Sequence, residues 1–251
     1  MNDAEQDKAF AYKGLQDLAR VVEEVGPMAP AHEDDRAFRV AWGLLAAANR
    51  QAAVIVLLHR YGMGYDTSPN RRALLEHAAR IWWLAEDGAD AVDSMNRALQ
   101  RSQAALRKAS DAAGIKYDAT IADIVAGTEL PPNKAETYNH FAHLMERMGP
   151  PMLAIWIGES MTAHPTLTGA QLFAREESGV LSLLAEPEYP AGFPGPDERA
   201  PTIALVLMWH AMCSFNRLLD GEPWTDDLQR IAAEAGIDGS VTGKASTSDV
   251  A

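Results

Sequence analysis

Two sets of polar residues with helical spacing carry the chemistry that this sequence offers. The first is Arg72, Glu76 and Arg80, which recur every four residues, so the carboxylate can pair with either arginine on one helix face. Two interpretations stay open: a structural ion network, or a patch that binds an anion and moves a proton. A buried Arg–Glu–Arg set is costly unless it is fully hydrogen-bonded, and function is only one reason to retain it.

The second set is Trp156, Ser160 and His164, again four residues apart. A helical wheel places them on the apolar face of a predicted helix, so we expect Ser160 and His164 to point inward. The histidine is then either a hydrogen-bonded core residue or a proton donor or acceptor oriented by Ser160. Glu159 flanks the same face and is a candidate partner.

Glu136, His140, His143 and Glu146 have a spacing that suggests metal ligands. The helical wheel argues against this, because both histidines fall on the face opposite the core side. The sequence also contains neither an H-E-x-x-H motif nor a cysteine ligand pair. We therefore expect no metal and no cofactor.

A polar line of His210, Ser214 and Arg217 crosses a segment that is otherwise almost entirely apolar. Because that helix is predicted to be buried, these side chains must meet polar partners, among them Glu76 or His164. They either satisfy hydrogen bonds within the core or contribute to a site.

These patterns predict one partly buried pocket for a small polar or anionic molecule. The candidate catalytic residues are Glu76, His164 and Ser160, with the first two moving the proton. The candidate substrate-binding residues are Arg72, Arg80, Trp83, Arg97, Trp156 and His210. Whether the protein is an enzyme stays open. If it is one, we expect metal-free acid/base or leaving-group displacement chemistry, with the arginines stabilising negative charge.

The helix that positions the first set is predicted over residues 68–87. Ser68 is a favourable N-cap, Pro69 suits the first helical position and Gly88 supplies a stop. The apolar positions form one broad face, made of Leu74, Leu75, Ala78, Ile81, Trp82 and Ala85. Arg72, Glu76 and Arg80 form a second stripe on the other side of the helix, and this stripe ends in Trp83. An apolar face together with a stripe that ends in tryptophan predicts a helix that is covered on most sides.

The remaining segments also favour helices, at 3–25, 31–60, 89–113, 119–127, 134–148, 151–163, 168–176, 202–220 and 225–235. The stretch 186–201 is rich in proline and glycine and predicts a loop, a candidate lid. No alternating strand pattern is present. We therefore expect one all-α domain, a single multi-helix bundle of about eight or nine helices over residues 1–238, followed by a disordered tail over 239–251.

Composition limits the function. The chain has 251 residues, a net charge of −13 and a pI of about 4.9, which disfavour unassisted binding to nucleic acid or to an anionic membrane. No apolar run approaches the about 20 residues of a membrane span without a charge. Cys213 is the only cysteine, and the first residues lack a signal-peptide pattern. We expect a cytoplasmic protein that binds a small molecule, with homo- or hetero-oligomers left open.

Two stretches together resemble a known family. RALLEHAARIWWL (72–84) and W-x3-S-x3-H-P-T (156–166) are similar to an all-helical bacterial family without an assigned activity, frequent in actinobacteria, whose motifs are R-x3-E and Y-x3-S-x3-H-P. The order of elements agrees over most of residues 30–220, with tryptophan where tyrosine is usual. The resemblance implies one shared polar centre of Arg72, Glu76, Ser160 and His164, and implies no reaction. More distantly, the chain is similar to helical proteins of natural-product pathways, including those needed for aziridine ring closure.

Arg72 and His77 also have the R-x4-H spacing that resembles the motif of HEPN ribonucleases, which are metal-independent helical RNases. Ala73 stands where that family usually has a polar residue, and the two side chains lie about 140° apart on a helical wheel. Three hypotheses therefore stand: a small-molecule protein, a non-catalytic interaction or regulatory bundle, and an RNase toxin. The second predicts an exposed apolar patch.

Overall fold

Long helices make up most of the chain. The computed structural model describes residues 3–24, 28–116, 130, 132–164, 166–188 and 196–237. Its helices are α1 (Asp3–Glu24), α2 (Arg36–Arg60), α3 (Ser68–Ala113), α4 (Phe141–Met148), α5 (Pro150–Ala163), α6 (Leu167–Gln171), α7 (Pro196–Asn216) and α8 (Thr225–Ala235), with 3-10 turns at Tyr65–Thr67 and Lys134–Asn139. The predicted all-α multi-helix bundle is confirmed.

The core lies where α2, α3 and α7 pack against one another, with α1 and α8 against α7 and α5 against α3. Helix α2 runs antiparallel to α3. Asn70 donates a hydrogen bond to Gln51 at 2.8 Å near one end, whereas Phe38 and Leu84 line the same cleft near the other. Helix α7, predicted to be apolar nearly all round, is buried along most of its length.

Helix α3 carries the predicted apolar face, whose first four members, Leu74, Leu75, Ala78 and Ile81, are buried. Gly88 is a kink rather than an end. It has φ 52° and ψ −121°, a backbone that favours glycine, and the helix then continues to Ala113. Ser68 starts the helix but is not its N-cap, because its own backbone is helical, with φ −55° and ψ −44°.

Three predicted helix boundaries are wrong. Helix α2 begins at Arg36 rather than at residue 31, because the preceding segment is tied to the end of α7 by the Ala31 N–H, which donates to the Leu218 carbonyl at 2.9 Å. The predicted helix 134–148 divides at His140, whose ψ of 111° is extended. Helix α7 runs over Pro196–Asn216 instead of 202–220, since proline suits a first helical position as well as a loop.

A hairpin contradicts the expected absence of strands, and it replaces the second part of the predicted helix at 168–176, which ends with α6 at Gln171. Strand β1 (Ala174–Glu177) pairs antiparallel with β2 (Val180–Leu183). The intervening Ser178 and Gly179 have φ values of 53° and 79°, and positive φ at both positions is typical of the type I′ turns that join hairpin strands.

Three other predictions fall on residues outside the described ranges: the helix at 119–127, the tail at 239–251 and the middle of the loop at 186–201.

One finding bears on the membrane prediction. By length and composition alone, α2 could cross a membrane, with a mean hydropathy of 1.5 over its most apolar window, of which 28% is buried. Core helices of soluble proteins pass the same test, so this is weak evidence.

Candidate functional site

A buried ion pair joins the start of α3 to α5. The Arg71 side chain is 1% exposed, and its Nε donates to Glu159 Oε1 at 2.9 Å. Its Nη1 donates to the Gly64 carbonyl at 3.0 Å and to the Thr67 hydroxyl at 2.5 Å. A buried guanidinium is tolerated here because it is both paired and hydrogen-bonded.

Two hydroxyl groups complete the surroundings of Glu159. The Ser68 hydroxyl donates to Glu159 Oε2 at 3.1 Å and is hydrogen-bonded to the Thr162 hydroxyl. Glu159 therefore accepts at both oxygens, one from a guanidinium and one from a hydroxyl. These contacts hold α5 against the first turn of α3.

Beside the buried ion pair lies a more accessible group of side chains from the same two elements. We call Arg72, Glu76, Trp156 and His164 the outer cluster. Arg72 Nε donates to Glu76 Oε1 at 2.9 Å, and the Trp156 indole Nε1 donates to the same oxygen at 3.2 Å. Arg72 Nη1 donates to His164 Nε2, and its guanidinium carbon lies 5.4 Å from the centroid of the Trp156 ring. Both sets of residues singled out by spacing thus contribute to one cluster.

The outer cluster keeps unused hydrogen-bonding capacity. The side chains of Arg72 and Glu76 are 22% and 25% exposed. The prediction that His164 points inward is wrong: α5 ends at Ala163, so His164 has an extended backbone beyond the helix and is exposed. Within the described residues, Glu76 Oε2 accepts no hydrogen bond. Because a guanidinium only donates, His164 accepts at Nε2, which places the proton of the neutral ring on Nδ1. The cluster therefore offers a carboxylate oxygen and an imidazole N–H to a ligand.

Ser160 and Arg80 lie near this cluster without joining its hydrogen bonds. The Ser160 hydroxyl donates to the Trp156 carbonyl at 2.6 Å, so its proton is used within α5. The Arg80 guanidinium stacks on Phe141, 4.6 Å from the ring centroid. Burial lowers the pKa of Arg80, against the opposing effect of the Glu76 charge.

The structure places the other candidate binding residues elsewhere. Trp83 is fully buried, and its indole N–H donates to Asp87 at 2.9 Å. Arg97 lies beyond the Gly88 kink, where its Nε is 2.6 Å from Glu136 Oε1. His210 is half-buried on α7 against Trp209, and burial lowers its pKa. Each of the three is thus positioned by packing or ion pairing outside the outer cluster.

The other motifs are also separated. Arg72 is hydrogen-bonded to Glu76 and His164, and no hydrogen bond or ion pair joins Arg72 to His77 in the described part of the chain. Burial lowers the pKa of His77, and the Glu76 charge opposes this. Among described residues, no group of three or more histidine, cysteine, aspartate or glutamate side chains is arranged to hold a metal ion.

Arg71 is the residue that spacing arguments missed. It precedes Leu74 and Leu75 by three and four residues, so it falls in register with the apolar face of α3. An arginine on a face that is otherwise buried is a signal for a buried ion pair. The sequence pattern indicates only the acidic partner of Arg71, because Glu159 flanks the helix face that carries Trp156, Ser160 and His164.

Two adjoining clefts lie away from the outer cluster, one between the segment before α2 and the turn that joins α7 to α8, and the other at the Gly88 kink of α3. One has a volume of about 790 Å³ and is lined by residues that include His32, Arg217 and Thr225. The second, of about 280 Å³, shares His32 and is lined by Leu84–Ala89 around the kink. Neither cleft includes a residue of the outer cluster, so both clefts lie apart from that cluster.

Comparison of the chain with protein-family models, with curated proteins and with solved structures found no match.

Proposed function

We propose that the protein binds a small polar or anionic molecule at the outer cluster and moves a proton on it. The observation that carries this proposal is the meeting of Glu76 with Trp156, 80 residues apart, and of Arg72 with His164, 92 residues apart. Four polar or amphipathic side chains from two elements there face a partly open space.

Arg72 is the group that recognises an anion. Its Nε is held by Glu76 and its Nη1 by His164, while Nη2 donates to no described residue. The ring of Trp156 beside the guanidinium limits the directions in which Arg72 can move. A carboxylate or phosphate oxygen fits this arrangement, because a guanidinium binds such groups through paired N–H donors.

Glu76 is the group that accepts the proton, through its Oε2 oxygen. The Nδ1–H of the neutral His164 ring donates a hydrogen bond, not a proton, to the ligand or to the charge that develops on it. Both side chains are held by the same arginine. Proximity of this kind lowers the entropic cost of a proton transfer.

The buried ion pair serves the outer cluster indirectly. Arg71 and Glu159 hold α5 on α3, and α5 carries Trp156 and leads into His164. The outer cluster is therefore formed before a ligand arrives, which reduces the ordering that binding requires.

A binding screen tests the proposal. Purified protein is titrated with a panel of small carboxylates and phosphate esters while its thermal unfolding is followed. At least one class is expected to raise the Tm of the wild type, since a ligand that binds only the folded state stabilises it. Arg72→Gln should abolish that shift, whereas Arg175→Gln, which alters an exposed ion pair, should retain it.

Turnover is tested separately, by product analysis with the ligand that binds. Glu76→Gln and His164→Ala are expected to abolish it with the fold intact. An unresponsive wild type, or an Arg72→Gln variant that binds as well as the wild type, would contradict the proposal. Full turnover by both acid/base variants would remove only the proton-transfer part.

A non-catalytic interaction bundle is the second candidate, and exposed apolar side chains on α5 favour it. Ile155, Ile157 and Met161 are 43%, 46% and 44% exposed, and α5 contains no fully buried residue although it is largely apolar. An exposed apolar patch is typical of a surface that contacts another macromolecule. A ligand panel without effect, together with association in solution that Met161→Lys abolishes, would favour this alternative.

A further inference from the structure

The two helical segments that build the outer cluster carry a small positive charge within a strongly acidic chain. Residues 68–80 of α3 contain three arginines and one glutamate, and α5 contains one glutamate and no basic residue. Burial lowers the pKa of His77 below its ordinary 6.5, so this ring is neutral near pH 7. Three positive charges against two negative ones leave +1 here, whereas the whole chain has −13. A monoanion balances the charge of this region, and a dianion exceeds it.

One guanidinium presents this charge to a ligand. The buried Arg71 is neutralised by Glu159, and the Arg80 guanidinium is stacked on an aromatic ring. Arg72 remains, and its Nη2 donates to no described residue. The Nδ1–H of His164 belongs to the ring that accepts from the same guanidinium. The two oxygens of a carboxylate can therefore accept one hydrogen bond from Arg72 and one from His164.

Glu76 adds a second requirement on the ligand. Its Oε1 accepts from Arg72 and from the Trp156 indole, whereas its Oε2 accepts no hydrogen bond from the described residues. A ligand on Arg72 displaces water from the neighbouring carboxylate, and a charged acceptor that loses water without gaining a donor is costly. A second carboxylate close by also repels the first. A ligand that donates an O–H or N–H to Oε2 avoids the first cost and offsets the second.

The contact between the two side chains limits where that donor lies on the ligand. Arg72 Nε and Glu76 Oε1 are 2.9 Å apart, so the guanidinium and the carboxylate touch. A ligand that reaches from Nη2 to Oε2 carries its carboxylate and its donor close together. A hydroxyl group on the carbon next to the carboxylate meets this condition. An ammonium group at the same position would leave the ligand without net charge and the region at +1.

We propose that the ligand of the outer cluster is a small α-hydroxy carboxylate, an assignment that rests on the proposed function of this cluster. The ligand carboxylate accepts from Arg72 Nη2 and from His164 Nδ1, and the ligand hydroxyl donates to Glu76 Oε2. A carboxylate without the hydroxyl leaves Oε2 unpaired. A phosphate dianion brings one negative charge more than the two helical segments balance.

Titration with four small ligands tests the hydroxyl group and the charge. Lactate, propionate, alanine and ethyl phosphate are compared at constant ionic strength and pH 7.5, where the phosphate ester is mainly a dianion. The indole N–H resonance of Trp156 reports binding, because this group donates to the carboxylate that the hydroxyl would bind. Lactate is expected to bind at least about tenfold more tightly than propionate, which leaves a charged acceptor unpaired. Alanine and ethyl phosphate should also bind more weakly than lactate.

Glu76→Gln separates the hydroxyl contact from general carboxylate binding. Removing the negative charge relieves the repulsion of propionate, so the preference for lactate is expected to fall below about threefold. Glu146→Gln, which alters an exposed ion pair, should keep the full preference. Equal affinities of the wild type for lactate and propionate, or tighter binding of alanine or ethyl phosphate, would overturn the α-hydroxy carboxylate and leave the anion site standing. No response to lactate would also overturn it, and the proposed function falls as well only if the wider panel of carboxylates and phosphate esters has no effect.

Discussion

Removing the charge of Glu159 is expected to destabilise the fold severely. Glu159→Gln preserves the shape of the side chain but leaves the Arg71 guanidinium buried without a counter-charge. The side chains of the two residues are 11% and 1% exposed, so solvent screens their interaction little. Breaking a buried ion pair typically costs about 3–5 kcal/mol. Because Arg71 keeps its bonds to Gly64 and Thr67, we expect a loss of about 3 kcal/mol in the free energy of unfolding.

Replacing both partners should cost less than replacing one. An Arg71→Met, Glu159→Leu double variant leaves no buried charge, and such replacements are often neutral or stabilising. The double variant is therefore expected to be more stable than Glu159→Gln. The coupling between the two sites should be on the order of 2 kcal/mol in a double-mutant cycle.

Urea unfolding followed by circular dichroism measures these differences, because the midpoint shifts when stability changes at constant slope. Glu146→Gln is the matched control. The Glu146 side chain is 58% exposed in an ion pair with His143, so its loss should change stability by less than about 0.5 kcal/mol. Equal losses for the two glutamine variants would refute the buried role of Glu159.

Four further outcomes are expected. Gly88→Ala should lower the Tm, at a cost of about 1–2 kcal/mol, since alanine is strained at φ 52°. Gly43→Ala within α2, where an added Cβ meets no atom within 4 Å, should raise the Tm through a gain of about 0.5–1 kcal/mol. Burial lowers the pKa of His210 below its ordinary 6.5, so the unfolded chain takes up its proton first as pH falls. The contribution of His210 to the free energy of unfolding is complete above pH 6.5 and decreases as the pH falls below 6.5. His210→Gln should therefore flatten the loss of urea midpoint on acidification. Burial raises the pKa of the Cys213 thiol to about 12, so alkylation near neutral pH should require unfolding.

Apolar periodicity was sufficient to predict the helices, because burial of one face is what stabilises most of them. The hairpin escaped prediction because both faces of β2 are exposed, so its sequence lacks the alternation that marks a half-buried strand. The start of α7 was misplaced because proline favours loops and first helical turns alike, and composition alone does not separate these cases.

The contacts of the site within α3 were predictable from the sequence, whereas the contacts between α3 and α5 were predictable only in part. Arg72 and Glu76 pair through i, i+4 geometry, which spacing encodes directly. Which of two adjacent arginines is buried depends on how α5 crosses α3, and helical spacing does not specify a crossing. Arg71 therefore takes the buried position against Glu159, while Arg72 faces the more exposed His164.

The Trp156 indole N–H offers the most direct measurement of whether α3 and α5 build one polar site. The chain has six tryptophans, so the indole region of a proton–nitrogen correlation spectrum is simple and Trp156→Phe assigns the resonance. Glu76→Gln should shift that resonance, because Glu76 accepts its hydrogen bond, while the resonances of Trp83 and Trp209 and the effect of Glu146→Gln serve as controls. A Trp156 resonance that responds to Glu76→Gln no more than to Glu146→Gln would contradict the convergence of the two helices on a shared site.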